Sequence, residues 1–123
     1  MTKKLILFTN DEALANVFTE FFAQHPFEAH LVNVALDKVD FTNSVIILDY
    51  DVVGMDMRTI LTNIVRAGGQ ENKVIVVSQD CERRNISDVA KSGATRFIVK
   101  PINKKRIKKY ILPYLEYASQ VSV

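Results

Sequence analysis

The sequence has little cysteine and no long apolar run, and each shortage excludes a class of protein. Cys81 is the single cysteine among 123 residues, so no disulfide can form within the chain, which indicates a reducing, cytoplasmic setting. No apolar run approaches the roughly 20 residues that a membrane-spanning helix needs. The first residues, MTKKLILF, contain an apolar stretch that is too short for a signal peptide. We therefore expect no contact with a membrane.

Apolar residues are plentiful enough for one packed core. They make up 48% of the 123 residues, which fits a single domain over residues 1–123 and argues against disorder. The net charge of +2 indicates no particular partner, although positive charge concentrates in KPINKKRIKKY near the end of the chain. The solvated outer face of an amphipathic helix explains most of that charge, so we do not expect this domain to bind nucleic acid by itself.

Apolar runs alternate with stretches of helical periodicity. The runs predict strands at KLILF, VIILD, KVIVVS and RFIVK, with a weaker strand at FEAHLVNV. Helices are predicted at DEALANVFTEFFAQ, MDMRTILTNIVRAGG and DCERRNISDVAKSG, and from about Asn103 onward. Asp11 and Asp80 are plausible caps, and Pro113 should kink the last helix or end its regular part. The stretch ALDKVDFTNS is short for a connecting helix, so the second helix should be stunted.

This alternation predicts an α/β fold, a doubly wound parallel sheet with helices on both faces. Continuous Val/Ile/Leu runs are typical of parallel strands that are buried on both faces. In such folds the functional crevice lies at the carboxyl ends of the strands. The residues expected there are Thr9-Asn10-Asp11, Asp49-Tyr50-Asp51, Ser78-Gln79-Asp80 and Lys100-Pro101.

Two interpretations of this crevice follow from the residue types alone. Asp49 ends a buried strand, and a carboxylate there could be a nucleophile for phosphoryl transfer. Lys100 could supply fixed positive charge to the phosphoryl oxygens, and Ser78 could donate a hydrogen bond to one of them. Alternatively, Asp49 and Lys100 form a structural ion pair while Ser78 caps a turn. The residues leave both interpretations open.

Three segments, in this order and each on a predicted strand, carry a specific resemblance. The segments are VIILDYDVVGMDM, VIVVSQD and GATRFIVKPI. With them, nearly the whole chain resembles the receiver domains of two-component response regulators. The resemblance implies that Asp49 stands at the phosphoacceptor position, Ser78 at the hydroxyl position and Phe97 at the aromatic switch position, and that Lys100 belongs to the Lys-Pro pair of the family. The resemblance implies a CheY-like fold of five strands in the order 2-1-3-4-5, and a cytoplasmic role in phosphorelay signal transduction without enzyme activity.

The resemblance also implies that part of the site is missing. The family places two adjacent acids after the first strand, which hold Mg²⁺ together with the acceptor Asp. Thr9 and Asn10 stand at those positions, so the expected metal site is degenerate, with Asp49 supplying oxygens and Asp11 and Asp51 as further candidates. For Asp51 we prefer a side chain that faces solvent over one that restores negative charge to the site.

Two further departures from the family pattern concern the entrance to the crevice. Val52-Val53 replaces the usual Met-Pro after the acceptor, and Gln79 replaces a small residue and would crowd the site. Together with the neutral pair, these departures favour an atypical receiver that acts through protein–protein interaction. It would need no cofactor, bind Mg²⁺ weakly, and be phosphorylated weakly or not at all. The alternative is a conventional receiver that takes a phosphoryl group on Asp49 from a histidine kinase.

Two other functions rank lower than a receiver domain. A flavodoxin-like binder would need a Ser/Thr/Gly-rich loop after the first strand, and a cysteine phosphocarrier would place its cysteine there. Family members commonly use the surface made by the fourth helix, the fifth strand and the last helix. Arg96, Lys104 and Lys108 would give that surface a basic rim, which suits an acidic protein partner. A homodimer and a complex with a histidine kinase are both open.

Overall fold

The computed structural model describes residues 3–32, 38–68 and 72–115. Within these ranges, strands and helices follow one another in the predicted alternation. The strands are β1 (Lys4–Phe8), β2 (Phe27–His30), β3 (Ser44–Asp49), β4 (Lys73–Ser78) and β5 (Arg96–Val99). The helices are α1 (Glu12–Phe21), α2 (Met57–Gly68), α3 (Arg83–Lys91) and α4 (Lys104–Tyr110).

The strands form one parallel sheet in the order β2-β1-β3-β4-β5. This confirms the predicted five-stranded α/β fold and its strand order. Every residue of β3 is buried, as the uninterrupted apolar run predicts for a central strand covered on both faces. The chain passes from β2 over β1 to β3, so β1 and β3 are neighbours and their carboxyl ends lie beside each other at one edge of the sheet.

Alternate residues of each strand enter two separate cores. Val45 and Ile47 of β3 pack on the side of α1 and α4, against residues such as Phe18. Ile46 and Leu48 pack on the opposite side, where α2 and α3 lie. A strand side chain points to alternate faces, so a two-layered covering of helices requires the continuous run of apolar residues that the sequence contains.

The ends of several elements differ from their predicted positions. Asp11 caps α1 as predicted, accepting hydrogen bonds from the N–H groups of Ala13 and Leu14. Asp80 does not cap α3: Glu82 is the residue at that position, and Asp80 instead accepts from the N–H of Glu82. The cap was misplaced because several polar residues in a row can all precede a helix.

The remaining predictions on local structure have three outcomes. The regular part of α4 ends at Tyr110, ahead of Pro113, as predicted. Much of the segment predicted as a stunted helix lies outside the described residues, and residues 38–43 contain no α-helix. The weaker strand is shorter than its apolar pattern, since β2 ends at His30. In the described parts of the chain, no helix is long and apolar enough to cross a membrane.

Candidate functional site

The predicted crevice residues meet at the carboxyl edge of the sheet. Asp49 is the last residue of β3, Ser78 is the last residue of β4, and Lys100 follows the end of β5. Thr9 follows the end of β1, the strand that neighbours β3. These four positions converge because parallel strands in register end at the same edge. A cavity of about 380 Å³ opens in front of Asp49 and Lys100.

Asp49 is almost fully buried, with 2% of its surface exposed, and both of its carboxylate oxygens are hydrogen-bonded. Lys100 Nζ donates to Oδ1 at 2.8 Å, and the N–H of Asp51 donates to the same oxygen at 3.0 Å. Thr9 Oγ1 donates to Oδ2 at 2.6 Å. A buried carboxylate needs such partners, because its charge would otherwise be strongly destabilised. Asp49 and Lys100 are therefore in contact, as the sequence predicted.

Asp51 does not face solvent, and our preferred interpretation of this residue was wrong. Ser78 Oγ donates to Oδ1 at 2.6 Å, and the N–H of Gln79 donates to Oδ2 at 2.8 Å. Lys100 Nζ lies 3.1 Å from Oδ2, so a single ammonium group bridges the carboxylates of Asp49 and Asp51. Sequence reasoning missed this role because it depends on the conformation of the loop after β3. We call Asp49, Asp51, Ser78 and Lys100 the acceptor side of the crevice.

The charges on the acceptor side stabilise one another. Burial alone would raise the pKa of Asp51, but hydrogen bonds from Ser78, Gln79 and Lys100 and the Lys100 charge lower that pKa below 3.8. Burial alone would lower the pKa of Lys100, but hydrogen bonds to Asp49 and Asp51 and their charges raise that pKa above 10.5. Both groups are therefore charged at neutral pH.

Thr9, Asn10 and Asp11, which we call the β1 corner, make contacts that serve local structure. Asn10 Oδ1 accepts from the N–H of Val32 at 3.1 Å, which ties the end of β1 to the end of β2. Asp11 Oδ1 is occupied in capping α1. Thr9 Oγ1 accepts from the N–H of Asp11 at 2.9 Å while donating to Asp49. Thr9 Oγ1, Asn10 Oδ1 and Asp11 Oδ1 therefore already have partners within the protein.

These contacts do not fit a Mg²⁺ ion. A hard cation binds through several converging oxygens and prefers carboxylates, but the hydroxyl of Thr9 approaches Asp49 as a donor. The Asn10 and Asp11 oxygens accept hydrogen bonds from backbone N–H groups instead. Among the residues that the structure describes, no three acidic, His or Cys side chains are grouped as metal ligands would be.

Gln79 and Phe97 are the other residues that the sequence singled out. Gln79 is exposed and lines the cavity together with Val52 and Val53, the last of which has 95% of its surface exposed. Phe97 is half-buried and packs against the core on the side of α2 and α3. Its role as a switch stays a prediction. Lys100 and Pro101 are joined by a cis peptide bond.

The comparison with protein families agrees with the fold. The model of the response regulator receiver domain matches residues 8–112. Because this match spans more than half of the chain, the protein belongs to the receiver domain family of response regulators, which act in signal transduction. No curated protein matches the sequence.

Solved structures with the same fold come from several organisms. The CheY-like receiver domain protein of Methanospirillum hungatei JF-1 has a TM-score of 0.76 at 17% identity, covering 98% of this chain and 99% of that one. Chemotaxis response regulator CheY4 of Vibrio cholerae has a TM-score of 0.75 at 16% identity, with coverages of 94% and 100%. A chain of the CheX-CheY-BeF3-Mg²⁺ complex of Borrelia burgdorferi has a TM-score of 0.70 at 20% identity, with coverages of 95% and 89%. At these identities the likeness shows the fold alone.

Proposed function

We propose that this chain is an atypical receiver domain, which acts through protein–protein interaction and is phosphorylated weakly or not at all on Asp49. The observation that carries this proposal is the hydrogen bond from Thr9 Oγ1 to Asp49 Oδ2. At that place a neutral donor satisfies the acceptor carboxylate, which therefore has no need of a cation on that side. The absence of fit for Mg²⁺ at the β1 corner points in the same direction.

A slow phosphotransfer follows from the physical chemistry of the reaction. Transfer of a phosphoryl group depends mainly on positioning and on neutralising charge at the phosphoryl oxygens. Lys100 is the cation that contacts Asp49, and it is already shared with Asp51. A phosphoryl donor would bring additional negative charge to a pocket in which two carboxylates face one ammonium group. We therefore expect cofactor-independent signalling and weak Mg²⁺ binding.

Labelling with acetyl phosphate tests the proposal. The wild-type protein, incubated with acetyl phosphate at millimolar Mg²⁺, should remain almost unlabelled by intact mass spectrometry. An Asp49→Asn variant provides the baseline for labelling at other sites. Rapid stoichiometric labelling of the wild type that is lost in Asp49→Asn would contradict the proposal and establish the conventional receiver instead.

One observation favours that conventional receiver as the second candidate. The nucleophile and its cation are both in place, since Asp49 Oδ1 and Lys100 Nζ are 2.8 Å apart. In this alternative, a histidine kinase is the donor: a P–N bond breaks as a carboxylate oxygen of Asp49 forms the new P–O bond. Incubation with phosphorylated histidine kinases from the same organism distinguishes the two candidates, because only the conventional receiver gains the label on Asp49.

The partner surface is proposed to be the face made by α3, β5 and α4. Arg96 of β5 lies with its guanidinium carbon 4.8 Å from the ring centre of Tyr110, and Lys109 lies 5.3 Å from the same ring. Lys108 is exposed on the same helix. Not all of the positive charge is free, because Lys104 lies 3.6 Å from Glu20 of α1. An aromatic ring surrounded by cations suits an acidic protein segment better than a neutral one.

The association rate of a partner captured with the wild-type domain tests this surface. Reversing Lys104 and Lys108 to Glu should slow association, and added salt should reduce the wild-type rate, because exposed charges mainly steer encounter. Lys38→Glu is the control, since Lys38 is exposed between β2 and β3. An association rate that is unchanged by the double reversal would exclude this face. Binding to any duplex with a steep salt dependence would indicate nucleic acid instead.

A further inference from the structure

Three hydrogen-bond donors from different parts of the crevice converge on one carboxylate. Ser78 supplies a hydroxyl at the end of β4, Gln79 supplies a backbone N–H just after it, and Lys100 supplies an ammonium group after β5. Their distances to the oxygens of Asp51 are 2.6, 2.8 and 3.1 Å. A hydroxyl, a backbone N–H and an ammonium group aimed at one point form the donor set that binds an oxyanion.

The ion pair between Asp49 and Lys100 does not by itself require Asp51. Lys100 Nζ already contacts Asp49 Oδ1 at 2.8 Å, so the charge of that carboxylate is balanced without a second acid. Asp51 instead accepts hydrogen bonds from Ser78 Oγ and the N–H of Gln79, and it also contacts Lys100. It is also placed by Asp49, whose Oδ1 accepts the N–H of Asp51 and holds the loop in a tight turn.

We infer that the side chain of Asp51 acts as a built-in competitor of the incoming phosphoryl group. It occupies the donors of Ser78, Gln79 and Lys100, of which Ser78 and Lys100 are the residues that the resemblance to receiver domains assigns to phosphoryl contact. The inference deepens the proposed function and rests on it in one respect: both treat Asp49 as the acceptor, beside which the anion would bind. It adds a reason for weak phosphorylation that is independent of the metal. An external anion must first displace Asp51 and then enter a pocket with a net negative charge.

The geometry leaves room for such an exchange. Asp51 lines the cavity of about 380 Å³, and its side chain is 23% exposed, so it can swing outward without disturbing either core. After its removal, Asp49 and Lys100 balance each other, and water in the cavity takes the place of the carboxylate on Ser78 and Gln79. An anion is a better acceptor than water for these donors, because charge-assisted hydrogen bonds are stronger than neutral ones.

Titration of Asp51→Ala with inorganic phosphate in Mg²⁺-free buffer tests the inference. The amide resonances of Ser78 and Gln79 should shift in a saturable manner, and the affinity should exceed that of the wild type by about tenfold or more, as expected when a charged hydrogen-bonding competitor is removed. Asp80→Ala is the matched control: it removes a neighbouring exposed carboxylate that does not contact Lys100. Adding Lys100→Met to Asp51→Ala should abolish the gain.

Two results would overturn the inference. One is an equal phosphate response of Asp51→Ala and wild type; the other is an equal gain in Asp80→Ala, which would show a general charge effect. If Asp51→Ala fails to fold, the hydrogen bond on which the inference depends is measured in the wild type. A scalar coupling between Gln79 N and Asp51 Cγ is expected, and its absence would refute the inference. Acetyl phosphate labelling tests the proposed function separately, because phosphate binding to Asp51→Ala needs neither Mg²⁺ nor a covalent step.

Discussion

The β1 corner and the acceptor side of the crevice lie at the same edge of one sheet, yet their polar side chains are used differently. On the acceptor side, Asp49, Asp51 and Lys100 contact one another and form a charged network. At the β1 corner, Asn10 and Asp11 accept hydrogen bonds from backbone N–H groups. The contact between the two regions is the hydroxyl of Thr9, which donates to Asp49.

This difference indicates how a site can lose one part and keep another. The network of the acceptor side spans three strands, so its members depend on one another for charge balance. At the β1 corner, the contacts of Asn10 and Asp11 need an acceptor oxygen, which an amide or a carboxylate can supply. A neutral Asn10 therefore still holds the ends of β1 and β2 together, whereas removing one charge from the network should not be tolerated as well.

The largest effect is expected from Lys100→Met. This change leaves two carboxylates without their shared cation, and Asp49 is buried, so the free energy of unfolding should fall by about 3 kcal/mol. Urea denaturation measures the loss. Adding Asp49→Asn should recover part of it, because the uncompensated charge is then absent. If Lys100→Met alone costs no more than a surface substitution, the acceptor side is not a coupled network.

The next effect concerns the β1 corner, where Thr9→Asp with Asn10→Asp restores the two acids. Like charges at about 4 Å repel by up to a few kcal/mol, so this variant should be less stable than wild type in the absence of metal. Mg²⁺ should then raise its melting temperature more than that of the wild type, through linkage. Thermal unfolding with and without Mg²⁺ measures both.

The matched control for the restored pair adds two acids elsewhere. Thr19→Asp with Asn63→Asp places the same residue types on exposed faces of α1 and α2. This control should show no special response to Mg²⁺. If the restored pair responds no more than wild type, then Thr9 and Asn10 are not the reason for weak metal binding. The entrance formed by Gln79 and Val52-Val53 would be the better explanation.

A smaller effect is expected on the free energy of unfolding at acidic pH. The pKa of Asp51 in the folded protein is below the 3.8 of the unfolded chain, so its contribution is fully present above that value and is lost as the pH falls through the folded pKa. Asp51→Asn should therefore flatten the dependence of stability on pH below about 4. Asp40 and Asp56 also have lowered pKa values, so the comparison of variant with wild type is needed to isolate Asp51. An equal dependence on pH in the two proteins would contradict the prediction.

The smallest effect is expected for the same chemical change at an exposed position. Lys104→Met removes an ion pair with Glu20 in which both side chains are about two-thirds exposed. Such pairs contribute about 0 to 1 kcal/mol, since solvent screens them and holding two long side chains costs entropy. Urea denaturation beside Lys100→Met tests this directly. A loss as large as that of Lys100→Met would mean that burial does not explain the difference between the two lysines.

The fold could be predicted from the sequence because its signals are local and repeated. The runs at β1 and β3 are apolar at every core position, and Leu5 and Ile47 are fully buried. Such runs leave few alternatives to a parallel sheet covered on both faces. The apolar pattern at β2 continues past His30, where the strand ends, so it gave a strand that was too long. Leu31 is apolar but exposed, so an apolar residue did not mark a buried strand position there.

The position of Asp49, Ser78 and Lys100 at the site was equally predictable, since Asp49 and Ser78 end strands and Lys100 directly follows one. The direction of the Asp51 side chain was not, because a loop residue is oriented by its neighbours and not by the period of a strand. One signal was available in the sequence. An Asp side chain often accepts the N–H two residues on, and that turn between Asp49 and Asp51 is what brings Asp51 to the donors.

Arg106 connects helix α4 with the segment that carries Lys100. Its guanidinium, carried by the basic helix α4, donates to the backbone oxygens of Val99 and Pro101, which flank Lys100. A shift of the Lys100 backbone must therefore move the first turn of α4 or break these bonds. If a partner on α4 binds more tightly to one position of this segment, partner binding and anion binding must affect each other equally. The factor by which an anion in the crevice changes partner affinity equals the factor by which the partner changes anion affinity.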